Sequence, residues 1–155
     1  MAADARAEII FADRFDHGTD GQWRVQVPSK WRPHDGQERY FVQLIEHDVG
    51  GEFLRVLPFS EAIRLRDTLS RKSDDDPAIE DEKRRSASEM EMVDLDKAGR
   101  ITLPTDKAQA AGIGQNEAVV LAGCWSYFQI WNQARYEKVR AADAAAKKAA
   151  KNKKT

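Results

Sequence analysis

At 155 residues, with 41% apolar and 33% charged side chains, the chain is long enough for one ordinary domain or two small ones under a well-charged surface. Its net charge of −1 gives no overall pull towards nucleic acid, and no apolar run approaches the ~20 residues of a membrane-spanning helix, so no membrane partner is expected. Cys124 is the only cysteine, which excludes an internal disulfide and fits a reducing compartment.

The opening residues are acidic, carry no long apolar run and so do not read as a signal peptide; residues 1–10 read as a mobile arm. Ile9 to Phe15 is strand-like, and a turn and a short strand, Val25-Gln26-Val27, follow. Ser29 opens one helical turn between Pro28 and Pro33. A polar loop, His34 to Glu38, leads to two strands, Tyr40–Ile45 and Phe53–Leu57, joined by a turn at Val49-Gly50-Gly51. After Pro58 a helix is expected with Ser60 as its N-cap and Ala62, Ile63, Leu65 and Leu69 on its apolar face. Ser73 to Pro77 breaks that helix, and Ala78 to Ser86 is a second, charged one that spaces the two halves.

The second half repeats this order. Met90–Leu95 and Arg100–Leu103 flank a turn, and Thr105–Ala111 is a short helix stopped by Gly112. Ala118–Ala122 and Tyr127–Trp131 are paired strands, and Asn132 caps a last helix that runs alanine-rich into lysines. Residues 1–76 carry a net charge of −4 (11 basic, 15 acidic) and residues 77–155 a net charge of +3 (14 basic, 11 acidic). Most of that positive excess is Lys147, Lys148, Lys151, Lys153 and Lys154, read as a solvated, disordered end with weak attraction for phosphate.

The most informative stretch is Asp96-Lys97-Ala98-Gly99-Arg100-Ile101-Thr102-Leu103-Pro104. Gly99 suits a positive backbone angle, Arg100 to Leu103 alternates like a half-buried strand, and Pro104 ends it. Asp96 and Arg100 are close enough for a carboxylate–guanidinium pair across the neck of the turn. Asp20-Gly21-Gln22-Trp23-Arg24-Val25-Gln26-Val27-Pro28 matches at Asp, Arg, the apolar pair and Pro with a constant offset of 76, which points to an internal duplication.

Both copies resemble the MraZ family of bacterial transcriptional regulators. The second carries D-x-x-G-R-x-x-x-P, continued by Gly112-Ile113, Val119-Val120-Leu121 and Phe128 to Trp131. In the first, Phe11, Phe15, His17, Asp20, Arg24, Pro28 and Arg32 fall at family positions. Ala12-Asp13 and Gln22-Trp23 depart from the family's Arg-Gly and Lys-Gly. With the glycine moved to Gly21, the first turn is expected to lose positive charge and change its backbone geometry.

The resemblance implies an α+β fold of two tandem, pseudo-two-fold, swapped-hairpin β-barrel units of the AbrB-like (SpoVT-AbrB) kind with short helices. The units fall at 11–72 and 88–140, with a linker and charged helix at 73–87 and a lysine-rich tail at 141–155. It further implies sequence-specific binding of double-stranded DNA, at short promoter repeats upstream of a cell-division and cell-wall gene cluster. It implies a ring-like homo-oligomer in the cytoplasm, associated with the nucleoid. The implied DNA contacts are Arg100, Lys97, Arg24, Lys30 and Arg32, with Asp96, Gly99 and Asp20 supporting the turns.

The residues themselves leave other readings open. Each Asp–Arg pair could simply close its own turn, and the fold could persist as an interaction scaffold without DNA binding. Trp23 reads as a residue packed on a neighbouring subunit, or less readily as a base-stacking one; Trp31, Trp125 and Trp131 read as core or interface. His17, His34 and His47 share no metal spacing with Cys124 or with carboxylates. Cys124 reads as a buried thiol, and no cofactor or catalytic constellation is expected.

Overall fold

Each half of the chain contains one three-residue strand with a single inward side chain, too short to bury that side chain alone. The computed structural model, which describes residues 9–73 and 75–153, solves this by pairing the two. Strand β2 (Arg24–Gln26) runs antiparallel to β6 (Arg100–Thr102), with Val25 opposite Ile101 and both 1% exposed. The other strands are β1 (Arg14–Gly18), β3 (Arg39–His47), β4 (Gly51–Pro58), β5 (Glu91–Asp94), β7 (Ala118–Gly123) and β8 (Phe128–Asn132). They form one antiparallel six-stranded sheet in the order β1-β7-β8-β4-β3-β5. Exchanging the first four strands with the last four reverses that order and leaves every pairing intact, β2–β6 included. The repeat in the sequence is thus a repeat in connectivity.

The expected strand–turn–strand is corrected in its partners. The strands flanking each turn are present but pair across the repeat: β1 with β7, β5 with β3 and β2 with β6. The first strand is also displaced. Phe11 makes only an isolated bridge to Trp125, and Asp13, at φ 82, bends the chain before β1 begins at Arg14.

Four helices complete the α+β fold: α1 (Phe59–Ser70), α2 (Pro77–Ser88), α3 (Thr105–Ala110) and α4 (Gln133–Lys153). Ser60 lies inside α1 and is not its cap. Pro58 occupies the N-cap position, and buried Glu38 instead accepts the Phe59 N–H at 3.4 Å. Asn132 does cap α4, accepting from Arg135 N at 3.0 Å. The lysine-rich end is not irregular through Lys153. Alanines at 141, 142, 144–146, 149 and 150 have the highest helix propensity of any residue and carry α4 through it. Lys154 and most of the expected arm at 1–10 lie outside the described residues. No helix among the described residues is long and apolar enough to cross a membrane.

The core draws on both halves. Trp31, 1% exposed in the 3-10 turn Ser29–Trp31, is ringed by Phe15, Phe128 and Phe11 at centroid distances of 5.0, 5.1 and 5.7 Å, and its indole N–H donates to Ala12 O at 3.0 Å. Trp131 stacks on Phe53 at 4.3 Å in a smaller cluster under α4. Of the core and interface placements expected for Trp125, the core one does not hold: it stands 77% exposed at the β7–β8 tip. Cys124 is half-buried, and burial pushes its thiol pKa up.

Truncating Trp31 removes a side chain that packs on three rings, Phe11, Phe15 and Phe128, and so joins the first strand region to β8. Trp31→Ala should cost about 3–5 kcal/mol, read as a lower urea midpoint with an unchanged slope; a loss within 1 kcal/mol would contradict this packing (about the scatter of a surface change).

Candidate nucleic-acid interface

The β2–β6 ribbon carries one turn at each end. Strand alternation sends Val25 and Ile101 inward, so Arg24, Gln26, Arg100 and Thr102 share the opposite, partly exposed face. The duplicated motif therefore places its two arginines on one surface.

Each turn is built around its aspartate. In the first, Asp20 Oδ1 accepts from Gln22 N and Arg24 N, both at 2.9 Å, and Oδ2 accepts from Arg24 Nε at 2.7 Å. In the second, Asp96 Oδ1 accepts from Ala98 N at 2.9 Å and Arg100 N at 2.8 Å, and Oδ2 from Arg100 Nε at 3.1 Å. The backbone closes alike: Asp20 N donates to Arg24 O and Asp96 N to Arg100 O, at 3.0 and 2.8 Å. The arginines are therefore held through Nε. Among the described residues, neither makes a hydrogen bond through its Nη groups. Such a guanidinium is oriented yet has donors to spare.

The expected change of geometry in the first turn does not occur. Trp23 adopts φ 63 where Gly99 adopts φ 80, so the tryptophan takes the left-handed conformation itself. That costs about 1–2 kcal/mol relative to glycine. The Trp23 ring packs against the main core cluster, which offsets the strain. The carbonyls of these two residues are also equivalent: Val27 N donates to Gly99 O at 2.9 Å and Leu103 N to Trp23 O at 2.8 Å. The offset of 76 that aligns Trp23 with Gly99 was the sequence signal for this.

The remaining expected site residues divide. Lys97 is exposed at the second turn, where the first has Gly21, and Lys30 is exposed in the 3-10 turn. Arg32 is not on the open surface in the same way. Its guanidinium lies against Gly99, and its Nε is buried without a hydrogen-bond partner. Two residues not singled out from the sequence hold the turns from outside. Gln26 Nε2 donates to Ala98 O at 2.9 Å, and Gln115 Nε2 donates to Gly21 O at 2.6 Å. A glutamine at a strand end, as Gln26, or in a polar loop, as Gln115, carries no sequence signal for such a role. Among the described residues, no three His, Cys, Asp or Glu side chains are grouped to hold a metal.

The aspartates owe their low pKa first to backbone N–H groups. The amide of Arg24 does most to hold the Asp20 carboxyl down, to about 2 against an ordinary 3.8; that of Arg100 holds the Asp96 carboxyl low. A depressed carboxylate pKa stabilises the folded turn above its unfolded value, and that contribution is lost as pH falls through the folded one. The Gln22 and Arg24 amide resonances should therefore hold their positions down to pH 3 and move with a midpoint of about 2; a midpoint near 3.8 would mean that the carboxylate is not so engaged.

Comparison with known proteins agrees with this architecture. Residues 87–155 match the family model described as "MraZ protein, putative antitoxin-like". A protein of Pediococcus pentosaceus named transcriptional regulator MraZ is 31% identical, over 83% of this chain and 85% of its own. Proteins of the same name from Thiobacillus denitrificans (30% identical, 76% and 78% covered) and Thermomicrobium roseum (28%, 79% and 82%) are similarly related.

Proposed function

This chain belongs to the MraZ family, and we propose that it is a sequence-specific DNA-binding transcriptional regulator that reads DNA with the turns of the β2–β6 ribbon. The observation that carries this reading is the pair of arginines, each fixed by its aspartate through Nε with its Nη donors unengaged, on the same face of one ribbon. A major groove admits a two-stranded β-ribbon, and an oriented guanidinium pairs with guanine O6 and N7 or with phosphate. Lys97 and Lys30 supply further charge for the phosphate backbone, and the α4 lysines add weak, sequence-independent attraction.

The strand exchange between halves supports a tandem swapped-hairpin arrangement of AbrB-like units, bounded near 11–72 and 88–140 and spaced by 73–87. Self-association into a ring is favoured by exposed apolar side chains, Trp125 at the β7–β8 tip (77%), Met92 on edge strand β5 (62%) and Phe59 at the start of α1 (47%), and by edge strands β1 and β5 that are unpaired on one side. A ring gains affinity by engaging repeated short elements at once. The DNA upstream of the cell-division and cell-wall gene cluster is the target we propose, in the cytoplasm and nucleoid.

The two turns share their geometry, but only the second adds a lysine at its tip. Arg100→Ala should cost about 1–3 kcal/mol per engaged subunit, and Arg24→Ala somewhat less. A gel shift with that upstream DNA measures this, with matched circular dichroism and size-exclusion traces. Equal binding by wild type and Arg100→Ala would remove the second turn from DNA reading and favour a scaffold role.

A further inference from the structure

The second turn has a support that the first lacks. Gly99 is buried although it lies in a turn, because two side chains of the first repeat cover it. A Cβ built on Gly99 would overlap Arg32 Nη1 and stand 2.8 Å from Arg32 Cζ and 2.9 Å from Gln26 Nε2. Gln26 also holds Ala98 O, and Val27 N holds Gly99 O. Three first-repeat residues thus grip the two residues that precede Arg100. The position 76 residues after Arg32 is Ala108, fully buried in α3, and the one after Gln26 is Thr102; neither side chain reaches out as an arginine or glutamine does.

Arg32 is itself held firmly. It lies between buried Trp31 and buried Pro33 with an extended backbone at φ −92 and ψ 140, the conformation that a following proline favours. Its backbone N–H donates to Ser29 O at 3.2 Å, but among the described residues its guanidinium makes no hydrogen bond or ion pair. A buried Nε without an acceptor is unfavourable, so contact with the turn, rather than pairing, is what keeps the guanidinium there.

We propose that Arg32 is a positioning residue: its guanidinium clamps Gly99 and sets the angle at which Arg100 is presented. This rests on the DNA reading above only for what the turn does, not for the clamp. It assigns Arg32 a different task from the direct DNA contact implied by family resemblance. Gly99 is then required twice over, by its left-handed φ and by the plane of the guanidinium above it. Arg32→Lys keeps the charge but loses the flat group.

The test compares Arg32→Ala, Arg32→Lys, Gly99→Ala and the double variant Arg32→Ala/Gly99→Ala in the full chain. Circular dichroism confirms folding, and Gln22–Arg24 serves as an internal control. Amide exchange at Ala98, Gly99 and Arg100 is measured first, without DNA. Arg32→Ala should speed it about 10-fold or more, Arg32→Lys should not restore it, and the first turn should not change. Gly99→Ala should do less further harm in the Arg32→Ala background, where the strained φ and the Gln26 contact remain but the guanidinium does not. Binding to the upstream DNA across salt concentrations follows. Arg32→Ala should weaken binding without altering the salt slope, whereas a lost phosphate contact lowers that slope by about 0.9 per engaged subunit. Unchanged exchange, strictly additive substitutions or a reduced slope would each overturn the clamp. Failure of DNA reading is seen separately, as equal binding by wild type and Arg100→Ala; the exchange data then still judge the clamp.

Discussion

The structure depends on the pairing of two three-residue strands from opposite halves of the chain. Val25 and Ile101 meet across that ladder, and each is sealed from water only because the other is there. Burying two such side chains is worth about 1.5–3 kcal/mol each. The geometric consequence matters more. Once β2 lies on β6, the turn of each repeat stands at an end of the same ribbon, and the hairpins β3–β4 and β7–β8 meet through β4 and β8 in one sheet. Neither repeat retains a core of its own: Val25, Trp31 and Leu54 share one cluster with Ile101, Ile113 and Phe128.

That mutual dependence explains why the two turns have diverged in sequence but not in shape. A turn of this kind needs an aspartate to collect two amide N–H groups, a residue willing to take a positive φ and a carbonyl free for the facing repeat. Asp20 and Asp96 supply the first. The second is met by glycine in one copy and by tryptophan in the other, because packing of the Trp23 ring offsets its backbone strain. The third is met in both, by the Leu103 and Val27 amides. A side chain at Gly99 would have to displace the Arg32 guanidinium and the Gln26 amide that cover it.

Much of this was legible in the sequence, for a physical reason. Alternation, turn residues and capping groups are local, and they located seven of the eight strands to within a few residues, as well as the Asn132 cap and the Asp–Arg closures. The first strand was misplaced because a positive φ at Asp13 leaves no pattern in its neighbours. Ser60 was misassigned as a cap because the competing acceptor, Glu38, comes from 22 residues earlier. The offset of 76 announced a duplication but not which strands pair, since pairing within or between copies buries the same residues. At the end of α4 two local signals compete: the alanines favour helix and the unpartnered lysines a solvated coil, and the alanines prevail through Lys153.

For the site, the sequence offers candidate residues but not the different physical situations in which the fold places them. The family resemblance implies five basic residues as DNA contacts. In the folded chain Arg24 and Arg100 are oriented by carboxylates, Lys97 and Lys30 stand in solvent, and Arg32 lies against the turn. These are three physical situations with different consequences for recognition. A solvated lysine attracts phosphate and carries no sequence information. An arginine fixed by a neighbouring carboxylate has lost much of its side-chain entropy before binding, so its contact can discriminate between bases. On the proposed DNA reading, the Asp–Arg pair is therefore not an alternative to DNA contact but what orients the guanidinium for it. The carboxylate bonds Nε and leaves the Nη groups, the donors a base edge would use, unengaged.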